Sequence, residues 1–227
     1  MYYDKNLRGC SIETSHKTIW ILIGPNGAGK TTFAMNPPEA LQELRYTPYI
    51  NPDSILKKHA GLSISGDELD ILTNTSNEIE NLIARNLSDH QSFIIEKVMP
   101  TLAFVNAPFT NLQDQGWKIS TIAVGLDNAD LSKKRVKDRV TQGGHNVRWD
   151  LATIFSKHVS QLPELLTLSD SARIYDNSGN GYELLAQKQG RGIPLEESHM
   201  ISGSQAAGSS YLREIMKLSA PSPALAG

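Results

Sequence analysis

Residues 20–34 read WILIGPNGAGKTTFA, an apolar run that breaks into a glycine-rich loop and resumes at Lys-Thr-Thr. Few folds accommodate that order. The apolar run predicts a buried strand over Thr18–Ile23, and the residues from Lys30 onward predict a helix, so the loop is a strand-to-helix turn. The spacing G-x-x-x-x-G-K-T from Gly24 to Thr31 gives the turn a chemistry. Gly24, Gly27 and Gly29 permit backbone conformations that aim successive N–H groups inward as an anion nest. The helix opening at Lys30 adds its positive end to the same spot. Lys30 is expected to reach the β- and γ-phosphates of a nucleoside triphosphate, and the Thr31 hydroxyl to ligate Mg²⁺. The expected nucleotide-contacting set is Gly24, Pro25, Asn26, Gly27, Ala28, Gly29, Lys30, Thr31 and Thr32.

Downstream, apolar β-rich runs alternate with helical stretches, the pattern of an α/β fold in which helices flank a parallel sheet. The first helix is cut short by Asn36-Pro37-Pro38, and EALQELR reads as a second. Thr47–Asn51 is expected to be a short strand and Asp53–Ala60 a helix. A long helix is expected over Asp67–Asp89, its apolar stripe made by Leu69, Leu72, Ile79, Leu82, Ile83 and Leu87. Strand Ser92–Glu96, a helix over 101–115 and strand Lys118–Gly125 follow. A basic helix, ADLSKKRVKDRV, leads through TQGGHNVRWD to a helix over Leu151–Leu168. Ala172–Tyr175 and Tyr182–Gln187 read as two last strands around DNSGNG. We therefore expect an N-terminal extension over 1–17 and one P-loop domain over 18–189, with a basic lid at about 128–158. Residues 190–227 read as a loosely packed Gly/Ser/Pro-rich tail with one short helix, SYLREIMKL.

Composition restricts the functional classes. A formal net charge of −2 argues against a broad basic surface, so nucleic acid is not an expected partner. Cys10 is the single cysteine, which suits a reducing compartment. The opening MYYDKNLRGCSIETSHK lacks a signal-peptide core, and no run approaches the ~20 apolar residues of a membrane span. The expected location is the cytoplasm.

The wording GPNGAGKTT is shared by transporter ATPases, but their signature loop and Asp-Glu strand are not found. ISGSQ at 201–205 falls in the tail with no such strand after it, and there is no Asn-Lys-x-Asp guanine reader. A kinase-like arrangement remains. Asp53, after the second strand, stands at the carboxyl edge of a doubly wound sheet, where it either accepts a substrate hydroxyl proton or caps the following helix. Glu96 ends the next strand. It is expected to hold Mg²⁺ through water, to bind a substrate hydroxyl, or merely to pair with Lys97 or solvent. Arg135, Arg139 and Arg148 flank the Gly143-Gly144 hinge; such forks neutralise charge on a transferring phosphoryl group. The competing reading is a solvated basic face partnered by Asp130 and Asp138. His90 and His158 sit among polar neighbours and are expected at the surface.

Taken in order, NPDSI, FIIEKVMPT, GWKISTIAVGLDNADLSKKRVKDRVTQGGHNV and IYDNSG resemble the zeta-toxin-like P-loop kinases over about residues 18–188. Shorter members of that family are often labelled ABC-type ATPases because of the loop wording. The resemblance implies a kinase that uses ATP and Mg²⁺ to phosphorylate a hydroxyl of UDP-N-acetylglucosamine. It also implies control by a small helical antitoxin. It assigns Lys30 and Thr31 to the loop, Asp53 to the acid engaging the substrate hydroxyl, and Glu96 to substrate binding. Arg135, Arg139 and Gly143-Gly144-His145 match the lid, His145 on the substrate side, and Asn177 and Ser178 match a late turn near the adenine. The chain departs from the family at Arg148, where Pro is usual, at Lys157, where arginines are usual, and at Lys97-Val98-Met99-Pro100. Two alternatives stay open: a kinase for another metabolite or a nucleic-acid 5′-hydroxyl, and a nucleotide-binding module without catalysis.

Overall fold

Apolar alternation along the central strands decides where the helices go. The computed structural model describes residues 17–62, 67–98, 110–141, 150–192, 199–200 and 209–219. Its strands are β1 (Thr18–Ile23), β2 (Tyr49–Ile50), β3 (Phe93–Lys97), β4 (Lys118–Gly125), β5 (Ser171–Asp176), β6 (Glu183–Gln189) and β7 (His199–Met200). They form one sheet in the order β2-β3-β1-β4-β5-β6-β7. Pairing is parallel from β2 to β5 and antiparallel from β5 to β7. The helices are α1 (Lys30–Met35), α2 (Pro52–Leu62), α3 (Glu68–Ser88), α4 (Ala129–Thr141), α5 (Leu151–Leu168) and α6 (Ser210–Ser219). A kinked 3₁₀ segment covers Glu39–Tyr46. The expected α/β architecture is present, and β1, β4 and α5 begin and end where the sequence places them.

Because side chains alternate across a strand, each strand feeds two cores. Ile19, Ile21 and Ile23 of β1 join Phe93, Ile95, Ile119 and Ala123 on the face covered by α3, α5 and α6. Leu22, Ile94, Ile122 and Val124 face the other way, toward Phe33 of α1 and Leu41 and Leu44 of the 3₁₀ segment. Register then aligns the ends of the parallel strands. Leu22 is level with Glu96, Ile50 with Ile95, and Gly125 with Asp176. One carboxyl edge therefore carries Gly24, Asn51, Glu96 and Asn177, the place where open α/β sheets bind ligands.

Three expectations are corrected. The tail helix is not loosely packed: Tyr211, Leu212 and Ile215 of α6 are 1%, 1% and 0% exposed within the main core. Tyr211 lies over Gly125, where a Cβ would stand 2.0 Å from its ring, so glycine is required there for close approach. Asp127 accepts from both N–H and Oγ of Ser210, at 3.3 and 2.6 Å, and fixes the helix start. His158 is not at the surface either; it is fully buried and stacked on Tyr211. Its Nδ1 donates to the Val98 carbonyl at 3.1 Å, and its Nε2 accepts from the Tyr211 hydroxyl at 2.7 Å. Finally, only the later part of the α3 stripe is used. Ile79, Leu82, Ile83 and Leu87 pack on the core, whereas Leu69 and Leu72 are 70% and 47% exposed. Of the expected 101–115 helix, residues 110–114 are described and helical. Cys10, the hinge residues Gly143 and Gly144, His145, Arg148 and the ISGSQ segment lie outside the described residues.

The His158–Tyr211 pair gives two measurable outcomes. Tyr211→Ala is expected to lower unfolding free energy by about 3–5 kcal/mol in urea titrations, through the lost ring and the stranded imidazole. Leu218→Ala, at a half-exposed position of the same helix, is expected to change it by less than about 0.5 kcal/mol. Burial pushes the His158 imidazole down from 6.5 to about 3. The unfolded chain therefore binds the extra proton between those values, and stability present above pH 6.5 falls on acidification. The slope from this group approaches about 1.4 kcal/mol per pH unit. Thermal unfolding of His158→Gln across that window is expected to lose this component.

Candidate functional site

The glycine loop has the shape its sequence demands. Gly27 and Gly29 have φ of 78° and 90°, left-handed values that L-residues with side chains rarely adopt. Gly24 is needed for a different reason: a Cβ there would lie 2.3 Å from the Val124 carbonyl oxygen. The loop is held by neighbours on two sides. From α4, the Ser132 hydroxyl donates to the Asn26 carbonyl at 2.6 Å. From the turn between β5 and β6, Asn177 Nδ2 donates to the Ala28 carbonyl at 2.9 Å and Tyr182 OH to the Gly29 carbonyl at 2.7 Å. The Tyr182 ring also stands edge-on against Phe33 of α1. These contacts turn the Asn26, Ala28 and Gly29 carbonyls outward, which favours N–H groups on the concave side.

Lys30 is 5% exposed. Its ammonium donates to the Gly24 and Pro25 carbonyls at 2.9 and 3.3 Å and lies 3.6 Å from Glu96 Oε1. Burial pushes its pKa down, and the Glu96 and Asp53 carboxylates oppose that shift. Glu96 is itself 7% exposed, because the strand alternation that buries Ile94 on the α1 face also puts Glu96 there. Its Oε2 accepts from Thr31 Oγ1 at 3.2 Å, from Asn51 Nδ2 at 3.1 Å and from the Tyr49 hydroxyl. The reading of Glu96 as a strand-end acid paired with Lys97 or solvent is thus corrected: its ion-pair partner is Lys30.

Asp53 is exposed in the first turn of α2 and lies within electrostatic reach of Lys30. It is not the cap of that helix. Asn51 is, its Oδ1 accepting from Ser54 N at 3.0 Å. Arg135 projects from α4 beside the loop, where a Cβ on Gly27 would meet its Cβ at 3.1 Å, and its guanidinium reaches the Ser178 carbonyl at 3.4 Å. Arg139 is exposed one turn further along and is felt electrostatically at Lys30. Lys30, Thr31, Asp53, Glu96, Arg135, Arg139 and Asn177 are thus gathered at one edge. Thr32, at the start of α1, is exposed. Sequence reasoning missed Tyr49, Asn51, Ser132 and Tyr182. Of these, Tyr49 and Asn51 carried a signal, their i, i+2 spacing matching that of Ile94 and Glu96.

The residues fit a polyphosphate and a hard cation. The left-handed glycines, the amides opening α1 and the Lys30 ammonium supply donors and positive charge. Thr31 and Glu96 supply oxygens, the donor type Mg²⁺ takes. Among the described residues there is no group of three His, Cys, Asp or Glu that could hold a metal ion. No helix among the described residues is long and apolar enough to cross a membrane.

Residues 19–156 match the AAA domain family, and the chain belongs to it. No curated protein matches the sequence. Among solved structures, a chain of the AvrRxo1-ORF1:AvrRxo1-ORF2 complex with sulphate ions superposes with a TM-score of 0.61 at 13% identity, over 86% of this chain and 64% of that one. The same complex with ATP gives a TM-score of 0.61, again at 13% identity and with the same coverage, 86% and 64%. A chain of the PezAT chromosomal toxin-antitoxin system of Streptococcus pneumoniae superposes with a TM-score of 0.56 at 16% identity, over 91% of this chain and 85% of that one. This chain therefore spans just under two thirds of the AvrRxo1 chain. At these identities the likeness is one of fold: the chain has the P-loop kinase-like fold, in agreement with the expected zeta-toxin-like family.

Gly29→Ala tests the loop geometry. The added Cβ would sit 2.7 Å from Asn177 Nδ2 at a φ of 90°. Strain of about 1–3 kcal/mol is expected to weaken nucleoside triphosphate binding about tenfold or more in calorimetric titrations.

Proposed function

We propose that the chain is an ATP-dependent phosphotransferase that moves the γ-phosphate to an alcohol of a small molecule. The observation that carries this reading is the pair of acids with opposite environments on either side of Lys30. Glu96 is buried and tied to the Thr31 hydroxyl, whereas Asp53 is exposed beside the same ammonium. An inward acid and an outward acid divide the work of phosphoryl transfer. Mg²⁺, when bound with ATP, would neutralise phosphate charge and orient the leaving group. Thr31 would hold it directly and Glu96 would support it from behind. Asp53 would accept the proton of the attacking hydroxyl, which an exposed carboxylate at the sheet edge is free to meet. Lys30 would hold the β- and γ-phosphate oxygens, and Arg135 and Arg139 would offset charge spreading over the transferred group.

For the acceptor we propose a UDP-activated amino sugar such as UDP-N-acetylglucosamine, and for a partner a small helical antitoxin. The ordered motif run from NPDSI to DNSG supports both. A toxin-antitoxin system among the structures sharing the fold also supports the second. The exposed side chains of Lys133, Lys134, Lys137 and Arg139 on α4 suit an acceptor that brings its own phosphates.

The test incubates the purified chain with labelled ATP, Mg²⁺ and a panel of alcohols that includes UDP-N-acetylglucosamine. Transfer to the sugar nucleotide is expected, reduced about 10³-fold or more by Lys30→Ala and by Asp53→Ala. Transfer to another alcohol would replace the acceptor assignment. Unchanged transfer in Asp53→Ala would remove that residue from the chemistry.

A further inference from the structure

The phenol of Tyr49 has no packing reason to be a phenol. Its ring lies against the core on the α1 face, where phenylalanine would fill the same space. Its hydroxyl instead meets Glu96 Oε2, the carboxylate oxygen that also faces Thr31. Asn51, two residues on, reaches the same oxygen at 3.1 Å and the Tyr49 hydroxyl at 3.0 Å. We propose that Tyr49 and Asn51 are positioning residues that lock the Glu96 carboxylate onto the Thr31 hydroxyl and so set the affinity of the loop for a divalent cation bound with ATP. This inference rests on the phosphotransferase reading above.

The argument is one of hydrogen-bond accounting. An ionised carboxylate only accepts, and Glu96 is too buried for water to complete its shell. Its Oε1 faces the Lys30 ammonium at 3.6 Å. Left to itself, the group would turn both oxygens toward that charge. The two donors from β2 and the residue after it hold Oε2 aside, at 3.2 Å from Thr31 Oγ1. The single hydroxyl hydrogen of Thr31 is then committed to Glu96; of its lone pairs one meets Asn51 Nδ2 at 3.5 Å and the other is left for a hard cation. Burial and the facing Glu96 both push the Tyr49 phenol up from 10.0, so it stays a donor at every working pH.

Asn51 has a second duty that phenylalanine or alanine could not share. Its Oδ1 caps α2 through Ser54 N at 3.0 Å while its Nδ2 holds Glu96. One amide thus fixes the start of the helix carrying Asp53 relative to Glu96. Serine at this position would cap the helix equally well. Its shorter side chain would leave Glu96 without that donor and add no charge.

The experiment titrates the intact chain with ATP plus Mg²⁺, and separately with ATP plus EDTA, by calorimetry. The chains compared are wild type, Tyr49→Phe, Asn51→Ser and the control Tyr46→Phe, whose ring is 85% exposed. Tyr49→Phe and Asn51→Ser are each expected to weaken binding of the magnesium complex about tenfold, the effect of losing one hydrogen bond to a charged group. Binding of metal-free ATP is expected to change by less than about twofold, and Tyr46→Phe to change neither. Equal loss with and without Mg²⁺ would assign the pair a general structural role and overturn the inference, as would no loss in either. If wild type binds ATP no better with Mg²⁺ than without, the cation reading of Thr31 and Glu96 falls, and the inference falls with it.

Discussion

A buried ammonium beside a buried carboxylate governs the active edge. Removing Lys30 and Glu96 from water costs several kcal/mol per ion, and their mutual attraction offsets this only where the remaining donors and acceptors find partners. The fold supplies them from four separate segments. Gly24 and Pro25 give carbonyls from the loop, Thr31 a hydroxyl from α1, Tyr49 a phenol from β2, and Asn51 an amide from the entry to α2. None of these segments could shift without stranding a charge. A site that must hold a triphosphate to within a fraction of an ångström gains its rigidity from that requirement.

The same edge is braced from the other side of the sheet. α6 sets Tyr211 against Gly125 at the end of β4 and against His158 on α5. His158 in turn bonds the Val98 carbonyl, two residues beyond Glu96. On the other side, Ser210 of α6 holds Asp127, whose N–H donates to Ser178 Oγ next to Asn177, the residue that holds the loop at the Ala28 carbonyl. The last described helix is thereby joined through packed side chains and hydrogen bonds to both walls of the nucleotide loop. α6 acts as structure that holds the site.

Much of this was legible in the sequence, and the illegible part has a common cause. β1, the glycine loop and α1 are determined by residues close together in the chain, so local pattern suffices for them. Glu96 was legible as an acid at a strand end, but its burial depends on the register of β3 against β1 and on which face α1 covers. Tyr49 and Asn51 share an i, i+2 spacing, but the face it meets depends on the register of a two-residue strand against β3, which lies outside local pattern. His158 had a signal that its polar neighbours masked: with Ile154 and Leu162 it forms an i, i+4 stripe on α5. Tyr211, Leu212 and Ile215 make a similar buried face, hidden by the Gly/Ser-rich residues before it. Leu69 and Leu72 show the converse, a stripe that continues past the core able to cover it.

The account stands on one claim, that Lys30, Thr31 and Glu96 form a single phosphate-and-cation site. A crystal structure with a non-hydrolysable ATP analogue and Mg²⁺ tests it most directly. The account predicts that the Lys30 ammonium exchanges the Gly24 and Pro25 carbonyls for phosphate oxygens. It also predicts that Thr31 Oγ1 ligates the metal and that Glu96 lies one water behind it, still bonded to Tyr49 and Asn51. A nucleotide bound away from the glycine loop, or a metal held without Thr31, would contradict it.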